Sequence, residues 1–214
     1  MTFIKICGVT DPETAKRCAE LGASAIGCVF YEKSHRHLSV EKAIAITSAV
    51  PETMLRVALM VDPDVDEAVF TAKNAGCNAI QLHGNESPQT ALTLMEKGFQ
   101  VIKAFYMHGS PSILSRKDFP KAAIPLVEAS SGKLPGGNAK VWDWSSARNF
   151  SEKSPLILAG GLDPENISQA LEKARPWGVD VSSGVESAPG IKDHEKIRRF
   201  IEKIREFDFK KSQG

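Results

Sequence analysis

The 214-residue sequence has no apolar run near the ~20 residues that a membrane-spanning helix needs. Its N-terminus also lacks a basic stretch followed by an apolar core, so neither a membrane span nor a secretory signal is expected and the cytoplasm is the expected location. There is no basic block: 27 Lys and Arg are scattered among 26 Asp and Glu, leaving a formal charge of +1. Nucleic acid is not an expected partner of such a surface. The four cysteines, Cys7, Cys18, Cys28 and Cys77, contain no C-x-x-C pair and match no histidine signature. They read as reduced thiols, which excludes a disulfide framework and a zinc site. No linker or low-complexity stretch divides the chain, and residues 1–214 are expected to form one domain.

What is present is alternation. Short β-branched runs recur as FIKICGV, AIGCVFY, LRVALMV, AIQLHG, QVIKAF, AIPLVEA, PLILAGG and GVDVSSG. Helix starts stand between them. Asp11-Pro12-Glu13 and Asp163-Pro164-Glu165 each supply a cap, a proline and an early acid. Ser39, Asp62-Pro63-Asp64 and Glu86-Ser87-Pro88 supply three more starts. A last helix over about 193–207 carries Ile197, Phe200, Ile201 and Ile204 on one face. Strands alternating with helices imply parallel βαβ units, and eight of them in this length fit an α/β fold of the closed (β/α)8 (TIM) barrel type. A doubly wound open sheet is the competing architecture. The longest irregular segment, SSGKLPGGNAK, follows the sixth strand.

In such a barrel, chemistry sits at the C-terminal ends of the strands. Reading each strand with period two places Lys5 and Cys7 opposite Ile4 and Ile6, and Gln81 and His83 opposite Ile80 and Leu82. Glu128 ends the sixth strand on the face of Leu126, and Asp180 and Ser182 share a face of the eighth. A polar face on a buried strand needs an explanation, and these strand ends all carry one. Gly160 and Gly161 end the seventh strand, while Ser182, Ser183 and Gly184 end the eighth before a possible helical turn. Close backbone N–H groups and serine hydroxyls suit a phosphate there. Arg36, in the loop after the second strand, has the planar fork that grips a carboxylate. His35 and His37 beside it form an H-x-H pair without a third ligand, so no metal is expected.

The motifs KICGVT, SHRH, QLHGNE, GGNAKVWDWS, LAGGLDPENI and GVDVSSGVESAPGIKD, in this order, resemble the phosphoribosylanthranilate isomerase family nearly end to end. The resemblance implies a cofactor-free Amadori rearrangement of N-(5-phosphoribosyl)anthranilate in tryptophan biosynthesis. It implies Cys7 as general base, Glu128 as general acid, and Arg36 as ligand of the anthranilate carboxylate. His83 and Asp180 match supporting substrate contacts, and Gly160, Gly161, Ser182, Ser183 and Gly184 match the phosphate site. A thiol base would need its pKa depressed, for which Lys5 on the same face is the nearest candidate. Two departures stand out: Val127-Glu128-Ala129 replaces the family's Leu-Asp-Ala, and Gly136-Gly137-Asn138-Ala139 replaces Gly-Gly-Thr-Gly. They raise an alternative, a repurposed or non-catalytic sugar-phosphate-binding relative. The histidine-pathway analogue, with a carboxylate on its first strand, fits Cys7 less well.

Overall fold

The computed structural model describes residues 1–129 and 142–213. Its frame is a closed barrel of eight parallel strands in sequence order. They are β1 (Phe3–Cys7), β2 (Ala25–Val29), β3 (Leu55–Met60), β4 (Ala79–Leu82), β5 (Gln100–Tyr106), β6 (Ile124–Glu128), β7 (Ile157–Leu158) and β8 (Gly178–Val181). Period two sorts their side chains. Ala25, Val57, Ala79, Ile102, Ala104, Leu126 and Ile157 fill the barrel interior. Ile4, Ile6, Ile26, Ile80, Leu82, Val127 and Val179 face the helices. The inward face continues toward the C-terminal strand ends as the polar residues singled out above.

The helices start at their expected caps. In α1 (Pro12–Glu20), α2 (Val40–Thr47), α3 (Val65–Asn74) and α4 (Pro88–Glu96), the side chains of Asp11, Ser39, Asp64 and Ser87 each accept a first-turn N–H. The fifth and sixth units are short. A 3-10 helix covers Ile113–Asp118, and another over Trp144–Ala147 runs into the one-turn α5 (Arg148–Ser151). α6 covers Ile167–Ala174 and α7 covers His194–Gln213.

Two expectations change. The helix read from Asp163 becomes regular only at Ile167, and Asp163 Oδ1 accepts the N–H groups of Glu165 and Asn166 at 2.7 and 2.9 Å. Asn166 Oδ1 accepts the Asp163 N–H in return at 2.9 Å, so Asp163 caps a first turn that is tighter than the α-helix it leads into. After β8, Ser183–Val185 does form a 3-10 turn, but it leads into an antiparallel ribbon, β9 (Glu186–Ala188) with β10 (Ile191–Lys192). Gly190 makes the reversal at φ +80°.

One buried charge fixes the loop that follows β4. Lys103 points outward from β5, between Val101 and Phe105 of the helix-facing layer, and is fully buried. Its ammonium lies 3.0 Å from Glu86 Oε2 and donates to the carbonyls of Gly84 and Ala104 at 2.8 and 2.9 Å. Glu86 in turn accepts the N–H groups of Gly84 and Asp62. The segment just after His83 is thereby held on three sides. Lys103→Met would leave the Glu86 carboxylate buried without a cation, a loss expected to cost about 3–5 kcal/mol. Urea unfolding should show that loss, and Lys103→Met/Glu86→Gln should recover much of it. A single-variant loss under about 1 kcal/mol, the range of exposed pairs, would show that the latch is not needed.

Candidate active site

The C-terminal mouth of the barrel opens into a cavity of about 490 Å³. Its walls include Cys7, Arg36, His83, Glu128, Asp180 and Ser183. That size suits a small organic ligand. Residues far apart in sequence converge because each ends a strand on its inward face or stands in the loop beyond it. Ser182 joins them, with its hydroxyl donating to the Cys7 carbonyl at 3.1 Å.

Not every expected residue lines the wall. Gly160 and Gly161 turn the chain at φ +85° and +71°. Gly160 also packs beside Glu128: a methyl group on it would lie 3.1 Å from Trp142 Nε1 and 3.6 Å from Glu128 Cβ. Gly184 has a steric role, since a methyl group there would lie 1.9 Å from the Leu162 carbonyl oxygen. Its bare backbone lets the loop after β8 lie directly on the loop after β7. The loop Gly136-Gly137-Asn138-Ala139 lies outside the described residues.

A buried ion pair sits beneath the cavity. Lys5 Nζ is 2.9 Å from Asp180 Oδ1, with side chains 0% and 7% exposed. Burial disfavours the Lys5 ammonium, but Asp180, with a further contribution from Cys7, more than offsets it, and the lysine stays charged. The thiol departs from expectation. Burial raises the Cys7 pKa, and the opposing pull of Lys5 does not bring it below the ordinary value. Desolvation outweighs Lys5, which Asp180 has already largely neutralised, together with the smaller pull of Lys192.

Glu128 holds its proton into the neutral range. Burial first, and the Asp180 carboxylate second, push its pKa to about 7 against the pull of Lys5. His83 goes the other way: burial, then Lys103 and Lys5, hold it down at about 3, so the ring is neutral. Gln81, fully buried behind it, lies 2.8 Å from His83 Nδ1 through its amide nitrogen. An amide donor on Nδ1 leaves the ring hydrogen on Nε2. That atom has no partner among the described residues and lies 3.8 Å from Glu128 Oε1. With a neutral ring, this separation is neither an ion pair nor a hydrogen bond.

Arg36 is held rather than free. Its Nε and Nη2 donate to Glu186 Oε1 and Oε2 at 2.6 and 2.7 Å. Lys192 Nζ bonds Glu186 Oε1 and the Ser182 carbonyl, both at 2.9 Å. Gly8 explains why the first strand ends on Cys7-Gly8. At φ +71°, it leaves a slot where a methyl group would lie 2.3 Å from Arg36 Cδ. Sequence reasoning did not select Glu186 or Lys192. The available signal was the Pro189-Gly190 turn between them, which pairs the two across a ribbon.

Comparison with known proteins agrees with this geometry. A family model described as N-(5'phosphoribosyl)anthranilate (PRA) isomerase matches residues 4–203. The N-(5'-phosphoribosyl)anthranilate isomerase of Desulfatibacillum aliphaticivorans is 47% identical over 199 residues, covering 93% of this chain and 91% of that protein. The solved phosphoribosyl anthranilate isomerase of Thermotoga maritima superposes with a TM-score of 0.86 at 36% identity, over 96% of this chain and 100% of that one. Another solved isomerase, in complex with reduced 1-(o-carboxyphenylamino)-1-deoxyribulose 5-phosphate, gives 0.85 at 34% identity, with 96% and 100% covered. With a barrel of this topology, a cavity at its mouth, and matches spanning nearly the whole sequence, the chain belongs to the N-(5'-phosphoribosyl)anthranilate isomerase family.

Proposed function

We propose that the chain carries out its family's Amadori rearrangement in tryptophan biosynthesis, converting N-(5'-phosphoribosyl)anthranilate to 1-(2-carboxyphenylamino)-1-deoxyribulose 5-phosphate, with Glu128 as general acid and Cys7 as general base. The observation that carries this reading is the Glu128 carboxyl, held near pKa 7 by burial and Asp180, on the wall of the same cavity as Cys7. A carboxylic acid that keeps its proton at neutral pH can give it to a ring oxygen.

The steps balance as proton transfers alone. Glu128 protonates the ribose ring oxygen, the C1–O bond breaks, and the nitrogen lone pair forms a C=N iminium. The Cys7 thiolate then takes the C2 proton, the C2–H electrons neutralise the iminium, and the resulting enol tautomerises to the ketone. Burial keeps Cys7 protonated in the free protein. The iminium cation favours the thiolate at the step that needs it, and the carboxylate vacated on Glu128 can accept the thiol proton. No electron acceptor enters the balance, so the reaction calls for no cofactor.

Around these two groups, His83 offers Nε2–H to a substrate oxygen, and Asp180 keeps Lys5 charged beneath the sugar. Arg36 receives the aromatic carboxylate. Ser182, Ser183 and Gly184, with Gly160 and Gly161, form the phosphate end, where the loops after β7 and β8 touch. The raised Glu128 pKa favours turnover over the alternative of a sugar-phosphate-binding relative without catalysis.

Cys7→Ala and Glu128→Gln should each lower kcat by about 10²–10⁴-fold, the usual worth of a positioned acid or base. Turnover is read by loss of substrate fluorescence, and product affinity, read by calorimetry, should stay near wild type. A Cys7→Ala enzyme that loses only about 10-fold in kcat or less would remove the thiol from the base role.

Glu128 also predicts how stability depends on pH. The folded carboxyl titrates at about 7 against an ordinary 4.5, so the folded state binds more protons between these values. Its contribution is complete below the lower value and is lost as pH rises through the upper one. Wild type should lose about 3 kcal/mol across that window relative to Glu128→Gln, at 1.36 kcal/mol per pH unit. Parallel stability curves for the two proteins would show an unperturbed carboxyl.

A further inference from the structure

The carboxylate grip at the cavity mouth is built from three side chains. The Arg36 side chain is 15% exposed, that of Glu186 is 5% exposed, and Lys192 is fully buried. The pairing of Nε and Nη2 with both Glu186 oxygens fixes the plane of the guanidinium as well as its position. Two of its five N–H groups are used this way, which leaves three on Nη1 and the far side of Nη2. That remaining edge offers a second planar carboxylate the same fork geometry.

Charge arithmetic points to the same ligand. Arg36 and Lys192 carry two positive charges against one on Glu186, so the group is net +1 and one incoming carboxylate neutralises it. Without Lys192, Glu186 would cancel the attraction that Arg36 offers. The group is also tied to the reacting centre. Lys192 donates to the Ser182 carbonyl, and the Ser182 hydroxyl donates to the carbonyl of Cys7. The loops converge here too: Gly8 leaves the slot for Arg36, and Thr10 Oγ1 donates to the Gly190 carbonyl of the ribbon turn at 2.9 Å.

Building on the isomerase reading, we infer that Glu186, braced by Lys192, is a positioning residue that enforces the requirement for a carboxylate on the substrate's aromatic amine. It touches Arg36 rather than the reacting atoms, and acts by aiming the guanidinium edge into the cavity.

The sign of the effect separates positioning from charge. Glu186→Gln removes a negative charge near the ligand carboxylate, so charge alone would tighten binding of a carboxylated ligand. Positioning requires the opposite, because one of the two acceptors that hold the fork becomes a donor. The test is calorimetry with two stable phosphorylated probes, the borohydride-reduced product and the same compound made from aniline, which lacks the carboxylate. Wild type should prefer the carboxylated probe by about 100-fold or more, and Glu186→Gln should reduce that preference about 10-fold or more by weakening the carboxylated probe alone. Glu186→Asp, which keeps both acceptors on a shorter arm, should fall between. In turnover, Glu186→Gln should raise KM about 10–100-fold while kcat changes much less. A Glu186→Gln protein that binds the carboxylated probe as tightly as wild type, or that weakens both probes equally, would overturn the inference. So would a wild type that does not distinguish the probes. The binding arms do not need turnover. A wild type that discriminates the probes but does not isomerise would sink the catalytic reading while leaving the role of Glu186 standing.

Discussion

The Lys5–Asp180 ion pair is the interaction on which the rest of this structure depends. The two residues face each other in register where β8 meets β1 and the sheet closes. Placing two charges in a barrel interior costs several kcal/mol each, which only a well-made pair offsets. A slip of one residue at this seam would turn Lys5 into the helix-facing apolar layer of Ile4 and Ile6, so the pair and the pattern demand the same closure. The same two charges then set the chemistry. Asp180 adds to burial in raising Glu128, while Lys5 opposes it and joins burial and Lys103 in keeping His83 neutral.

Much of this was legible in the sequence because the period of a strand fixes what faces inward. The parity of Lys5 and Cys7, of Gln81 and His83, and of Asp180 and Ser182 alone places these residues at one end of one barrel. The side-chain caps of the first four helices were legible for a similar reason, being local hydrogen bonds between near neighbours. What escaped depends on contacts between segments. Glu186 and Lys192 gain meaning only when a ribbon folds over Arg36. Lys103 reads as an exposed strand residue until Glu86 is found to cover it. The Cys7 thiol looked set to be acidified by Lys5, but that cation's field is largely spent on Asp180 and burial dominates.

The groups proposed for recognition and for catalysis share one set of hydrogen bonds. Arg36, Glu186, Lys192, Ser182 and Cys7 are linked in that order, so the carboxylate proposed to bind Arg36 would act on a network that ends at the strand carrying the thiol. On the other wall, Gln81 bonds Nδ1 of the neutral His83 ring, whose Nε2 lies 3.8 Å from Glu128 Oε1. Glutamate where the family uses aspartate lengthens the acid by one methylene. Gly160 stands close to it, since a methyl group there would lie 3.6 Å, an ordinary contact distance, from Glu128 Cβ.

The most direct measurement is the carboxyl titration of Glu128 itself, followed by carbon-13 NMR with carboxyl-labelled glutamate and assigned through Glu128→Gln. In wild type, the signal should titrate at about 7. In Asp180→Asn, where a repelling carboxylate is removed and Lys5 is left unneutralised, it should titrate distinctly lower. A Glu128 carboxyl that titrates at its ordinary 4.5 in wild type, or one that does not respond to Asp180→Asn, would contradict an acid held protonated by burial and by its buried neighbour.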